Sequence, residues 1–198
     1  LMYENKIITE PKWKSWIIST TEPLFSPEQC RQIIASGRAQ KPQEAQVGMG
    51  APGGGVDTKK RTTTISWIPF KEMGHMYQDL NKFIQQANEN HFGFGDVRVT
   101  ENAQFTEYPV GGFYDWHMDC DTHMGHEPPV RKISMTLLLN DPSEFEGGDL
   151  EIMGPGRRTP LKQGHAICFA SFLNHRVQPV TKGMRQSLVV WFGGKPFR

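Results

Sequence analysis

The sequence predicts a mainly β fold with flanking helices: a helical front end followed by an all-β barrel or sandwich. Three observations lead there. From Val97 onward, β-branched and aromatic runs are short and are separated by turn pairs such as Gly111-Gly112, Asp141-Pro142, Gly147-Gly148 and Lys182-Gly183. Apolar residues at helical spacing are confined to the chain before that point. The 20 Gly and 14 Pro among 198 residues supply the turns that many short strands need. A chain of this length supports one domain with a sizeable core, divided here into a front end 1–96 and a β core 97–198.

The elements follow in order. Ser26 can cap a first helix, Pro27 suits its first turn and Gln29 completes a capping box. Cys30, Ile33 and Ile34 form its apolar stripe, and Gly37 is its expected stop. Residues 38–60 read as a loop. The glycine-rich stretch 48–55 packs little apolar surface, so 41–60 is expected to be either a substrate lid or a mobile insertion. Residues 61–68 (RTTTISWI) are β-branched and read as a strand. Met73, Met76, Tyr77, Leu80, Phe83, Ile84 and Ala87 predict a second helix over 71–89. Strands are then predicted over 97–109, 113–119, 132–139, 148–153, 165–170, 175–180 and 185–192.

Composition excludes several functions. Charge is balanced, 22 Lys+Arg against 21 Asp+Glu, which argues against a nucleic-acid partner. No run approaches the ~18 apolar residues of a membrane span, and residues 1–6 lack the apolar centre of a signal peptide. Cys30, Cys120 and Cys168 are odd in number and widely spaced, with no C-x-x-C pair. That pattern fits a reducing, cytoplasmic setting and opposes a disulfide scaffold or a thiolate zinc site.

The chemistry centres on His117-Met118-Asp119. On a strand, residues i and i+2 share a face, so His117 and Asp119 converge and Met118 turns away. His175 can supply a third ligand from another strand. Two imidazoles and one carboxylate leave open metal positions, an arrangement suited to Fe(II) oxygenases. Alone, H-x-D is equally a strand with incidental polarity. Along 185–192, Arg185, Ser187, Val189 and Trp191 share one face. An arginine entering an apolar barrel requires an anion, either an internal carboxylate or one arriving on a ligand. His123 and His126, with Asp121 and Glu127, could mimic a second metal site but read better as a solvated loop. His75, His91 and His165 read as surface or structural histidines.

Residues 108–119 (YPVGGFYDWHMD) resemble the Y-x-x-G-x-x-Y-x-x-H-x-D run of prolyl 4-hydroxylase-like Fe(II)/2-oxoglutarate dioxygenases. Residues 164–191 resemble their G-x-x-x-x-F…H-x-V-x-P-V-x-x-G-x-R-x-S…W ending. The resemblance implies a double-stranded β-helix, or jelly roll. It implies Fe(II) on His117, Asp119 and His175, with these as the catalytic centre. It implies 2-oxoglutarate on Arg185, assisted by Ser187 and Tyr108, with O2 consumed and ascorbate a candidate auxiliary. Arg61, Arg131 and Trp191 match positions where relatives approach substrate. The implied reaction is hydroxylation of a prolyl residue in a peptide or protein, with a free amino acid or small metabolite as the alternative. Collagen-type relatives usually place lysine where Arg185 stands. Some relatives carry a tyrosine in the strand 133–140, which is apolar here, so Thr136 or Tyr108 would do more. A non-catalytic cupin-like metal sensor is the different-class alternative; it would not need Arg185-x-Ser187. A zinc hydrolase lacks a glutamate base beside the triad.

Overall fold

Two antiparallel sheets face each other in the computed structural model, which describes residues 15–44, 61–120 and 129–197. In chain order the elements are β1 (Ile17–Ser19), α1 (Pro27–Ala39), β2 (Gln43–Glu44), β3 (Arg61–Thr62), β4 (Thr64–Ile68), α2 (Gly74–Ala87), β5 (Arg98–Val99), β6 (Ala103–Tyr108), β7 (Phe113–His117) and β8 (Val130–Leu138). They continue as β9 (Phe145–Gly147), β10 (Leu150–Ile152), β11 (Ala166–Ala170), β12 (His175–Val177), β13 (Val180–Gly183) and β14 (Arg185–Gly194). The wide sheet runs β1-β11-β8-β14-β6-β4-β2, with β5 beside β14. The narrow sheet runs β10-β12-β7-β3, and β9 pairs with β13. This is the mainly β jelly roll with flanking helices that the sequence predicts.

The alternation of the central strands explains the layering. In β8, Ile133, Met135 and Leu137 face outward into one apolar cluster that also holds Leu188, Val190 and Phe192 from β14. That cluster is roofed by Cys30 and Ile33 of α1 and by Met76, Tyr77, Leu80 and Ile84 of α2. Each full burial of such a side chain contributes about 1.5–3 kcal/mol. A second cluster lies between the sheets. It joins Tyr108, Ile167 and Phe169 of the wide sheet to Leu150, Ile152 and Val177 of the narrow one.

Several elements differ in detail from expectation. The Ser26–Gln29 capping box forms as predicted. However, α1 runs through Gly37 to Ala39, because this glycine serves a close approach rather than a stop. A Cβ on it would sit 2.3 Å from Cγ of Phe105. The predicted helix over 71–89 is α2 over 74–87, continued by a π turn, Asn88–Phe92, that closes at Gly93 with φ 72°. The expected strand over 97–109 is two strands, β5 and β6. Four strands from the chain before Val97 join the sheets: β1 beside β11, β2 beside β4, β4 beside β6 and β3 beside β7. Most of the expected lid (45–60) and the His123/His126 loop lie outside the described residues. No described helix is long and apolar enough to cross a membrane. All three cysteines are buried, and burial pushes the Cys30 thiol up to about 11.

Gly37→Ala sets two effects against each other. Alanine gains up to about 1 kcal/mol in a helix interior, whereas forcing a methyl into packed space costs about 1–3 kcal/mol. The variant is expected to be less stable, with a lower urea midpoint at unchanged slope. A raised midpoint would mean that Phe105 yields without cost.

Candidate active site

In the narrow sheet β7 and β12 lie side by side, with His117 directly opposite His175. Asp119 lies two residues past the end of β7. Its N–H donates to the Ser171 carbonyl at 3.0 Å, and its Oδ2 accepts from the Ser134 hydroxyl at 2.7 Å. The Ser134 and Ser171 hydroxyls are themselves 3.0 Å apart. The carboxylate is thus fastened to the wide sheet while its chain neighbour His117 belongs to the narrow one. Met118, between them, faces solvent.

The three side chains meet at one point. Nε2 of His117 is 3.4 Å from Oδ1 of Asp119, and Nε2 of His175 is 3.5 Å from Oδ2. The three ligand atoms all lie within 4.8 Å of one another. Each imidazole is held by its other nitrogen: Nδ1 of His117 by the Asp115 carbonyl at 2.7 Å, and Nδ1 of His175 by the Leu173 carbonyl at 3.0 Å. A carbonyl oxygen only accepts, so Nδ1 is the protonated nitrogen, and in the neutral ring Nε2 presents its lone pair. Burial draws the His175 imidazole down to about 4 against the pull of Asp119, leaving it neutral at pH 7. Burial opposes ionisation of Asp119, but His175 and His117, whenever either ring carries a second proton, and the Ser134 hydroxyl hold its carboxyl below the usual range. Two lone pairs and a carboxylate turned on one point repel unless a cation sits among them. The donor set therefore fits a divalent metal, and Fe(II) in particular, with positions left open.

Deeper between the sheets, Arg185 of β14 stands opposite Tyr108 of β6. It is 3% exposed. Its Nη1 donates to the Ser187 hydroxyl at 3.2 Å, and its guanidinium lies 5.2 Å from the centre of the Tyr108 ring. Among the described residues no carboxylate pairs with it. Burial lowers its pKa from the ordinary value, the mark of a charge kept dry. Gly148, at φ +67°, leaves room for its stem: a Cβ there would be 2.9 Å from Cδ of Arg185. Such a guanidinium accommodates an incoming carboxylate. The lining is less apolar than expected, since Gln104, Thr106, Ser134, Thr136 and Ser187 are all buried and polar.

The three expected substrate residues are distributed unequally. Arg61 is buried at the narrow-sheet side, donating to the Thr63 hydroxyl and the Gln104 side-chain carbonyl at 2.8 Å each. Arg131 is already matched: its Nε and Nη2 donate to the two carboxylate oxygens of Glu101 at 2.6 and 2.7 Å. Its guanidinium also lies 3.7 Å from the Trp191 ring centre. Trp191 is buried beside Trp67, in register with Ser134, and its Nε1 has no hydrogen-bond partner among the described residues. Ser134, Ser171, Glu101 and Tyr114, which stacks on His117, escaped the sequence reading. Ser134 and Thr136 alternate with Ile133, Met135 and Leu137, and that period of two could have flagged an inward polar face.

Comparison with known proteins agrees with this geometry. Residues 103–193 match the family model described as the 2OG-Fe(II) oxygenase superfamily. A protein of Colwellia psychrerythraea named PKHD-type hydroxylase is 29% identical over 88% of this chain and 77% of its own length. The chain spans only 44%, 48% and 56% of the length of three further bacterial proteins of that name. A Pseudomonas putida prolyl-4-hydroxylase structure superposes with a TM-score of 0.67 at 21% identity, covering 90% of this chain and 92% of that one. A Trichoplax adhaerens prolyl hydroxylase, solved with a hypoxia inducible factor peptide fragment, gives 0.63 at 17% identity, covering 90% and 84%.

His175→Ala removes one of three ligands and is expected to abolish Mn(II) binding in calorimetry. Ser134→Ala removes only a donor to Asp119 and is expected to weaken the same binding on the order of 10–100-fold. Undiminished binding in His175→Ala would show that the metal sits elsewhere.

Proposed function

We propose that this chain is a 2-oxoglutarate–Fe(II) oxygenase that hydroxylates a prolyl residue of a peptide or protein, a reading supported by the family-model match over residues 103–193 and the likeness to a PKHD-type hydroxylase. In this reading His117, Asp119 and His175 hold Fe(II), and Arg185 with Ser187 and Tyr108 holds 2-oxoglutarate. One observation carries it: three metal-type donors converge on one point, and a buried guanidinium of the facing sheet has no carboxylate in ion-pair contact among the described residues. When bound, Fe(II) with 2-oxoglutarate and O2 supplies the oxidising chemistry that yields succinate, CO2 and a hydroxylated C–H carbon.

The chain's own residues do the rest. The two backbone carbonyls behind the imidazoles fix their tautomers, so the neutral rings turn an unprotonated Nε2 to the metal. Ser134 and the Ser171 backbone hold Asp119 against swinging to solvent. Arg185 would hold the far carboxylate of the co-substrate by a charge-assisted pair. Tyr114, stacked on His117, and Trp191, in register with Ser134, give the site aromatic neighbours. An extended proline-containing segment loses little conformational entropy on entering such a site. Arg61, with no carboxylate partner among the described residues, is available to a backbone carbonyl of that segment.

Arg185→Leu is expected to raise the apparent 2-oxoglutarate constant about 100-fold or more, since breaking a buried charged pair costs several kcal/mol. An unchanged constant would place the carboxylate elsewhere. For substrate class, succinate release is measured with Fe(II), ascorbate and 2-oxoglutarate while candidate substrates are added. Proline-containing peptides are expected to stimulate release and to gain one oxygen by mass spectrometry. Stimulation by free proline or another metabolite, with every peptide inert, would sink the peptide assignment.

A further inference from the structure

Behind His117 stands a column of side chains. Arg61 of β3 and Tyr114 of β7 are direct cross-strand partners. The Arg61 guanidinium carbon lies 4.3 Å from the centre of the Tyr114 ring. The same ring stacks on the His117 imidazole, with centroids 3.5 Å apart and planes 16° from parallel. Groups this close cannot share one face of the ring, so Tyr114 is sandwiched between a cation and a metal-type ligand. Regular strand geometry forbids the contact, because residues three apart point to opposite faces. Here β7 carries a bulge. Three steps from Tyr114 to His117 oppose two from Val177 to His175, which brings both rings to one side. The carbonyl holding Nδ1 of His117 belongs to Asp115, inside that bulge.

The two histidines are secured by different means. His175 is 7% exposed and packs edge-on against Phe169 at 4.6 Å. His117 is 15% exposed, closes its strand, and is followed by the solvent-facing Met118. Without a platform its ring would sample several orientations, and its Nε2 lone pair would meet the metal only part of the time. Arg61 supplies the backing. Its two hydrogen bonds, to Thr63 and to Gln104 of β6, tie the column to the opposite sheet.

We propose that Tyr114, backed by Arg61, is a positioning residue that fixes the plane of the His117 imidazole for metal binding. The proposal rests on the metal-site reading above. The test is Mn(II) affinity of the full chain by calorimetry, with Co(II) absorption as a reading of ligand geometry and a thermal melt as control. Tyr114→Phe keeps the ring, so affinity and Co(II) spectrum are expected to match wild type. Tyr114→Ala is expected to bind Mn(II) on the order of 10–100-fold more weakly, the effect of losing a ligand's support, with an altered Co(II) spectrum. Arg61→Met should weaken binding in the same direction. The proposal is overturned if Tyr114→Ala binds as tightly as wild type, or if Tyr114→Phe is as weak as Tyr114→Ala. Should Tyr114→Ala not fold, Tyr114→Leu decides between the same outcomes. Wild-type protein that binds no Mn(II) would instead overturn the metal-site reading, and this one with it.

Discussion

The wide sheet turns its apolar face outward and its polar face inward. Ile133, Met135, Leu137, Leu188, Val190 and Phe192 point away from the second sheet, while Ser134, Thr136, Ser187 and Arg185 point toward it. Left bare, the outer face would be a large apolar patch of the kind soluble chains avoid. Helices α1 and α2 are therefore structural necessities: they let the sheet spend its interior on polar groups. The roof is also fastened electrostatically. Arg38 of α1 reaches Glu107 of β6 at 2.7 Å, and the Gln186 amide of β14 donates to the same carboxylate at 2.8 Å. The two strands so clamped carry Tyr108 and Arg185.

A polar interior is tolerable only where its groups are matched. A buried hydroxyl or amide without a partner costs about 1–3 kcal/mol, and here Ser134 meets Asp119, Gln104 meets Arg61 and Ser187 meets Arg185. Charge is treated less evenly. Arg131 has a two-point carboxylate partner at the rim and stacks on Trp191, so its charge is settled within the protein. Among the described residues Arg185 is hydrogen-bonded only to a neutral hydroxyl, with Asp149 pulling from beyond ion-pair distance, although an uncompensated buried charge costs several kcal/mol. The fold retains that instability where a ligand carboxylate would relieve it, a departure from local consistency of the sort found at functional sites. The same holds for the His–Asp–His cluster, three acceptors held face to face by backbone carbonyls and serines.

Much of this was legible from the chain. The Ser26 capping box, the apolar spacing of α2, and the turn pairs around the core strands are local signals, and their elements formed close to the expected bounds. His117, Asp119 and His175 converge as the motif spacing implies, but Asp119 lies past the end of β7 and is held there by Ser171 and Ser134 rather than by the strand period. What escaped was non-local. Gly37 reads as a helix stop until Phe105 is seen against it. Ser134 looked incidental in an apolar strand because nothing in sequence says that Asp119 will arrive beside it. Glu101 became Arg131's partner across thirty residues of chain. Tyr114 escapes for a related reason: residues three apart in a regular strand point to opposite faces, and only the bulge in β7 brings its ring against His117.

That bulge has a bearing on protein engineering. The short pattern His-x-Asp invites transplantation onto other β scaffolds, since any regular strand presents its first and third positions on one side. In this chain the first histidine sits at the end of an irregular strand, where an extra residue redirects the aromatic ring three places upstream and supplies the carbonyl that orients the imidazole. A transplant that copies the ligands but idealises the strand would turn that ring toward solvent and leave the imidazole free to spin. The portable unit is therefore the whole stretch from Tyr114 to Asp119 with its insertion intact, together with a neighbouring strand that places an arginine opposite the ring.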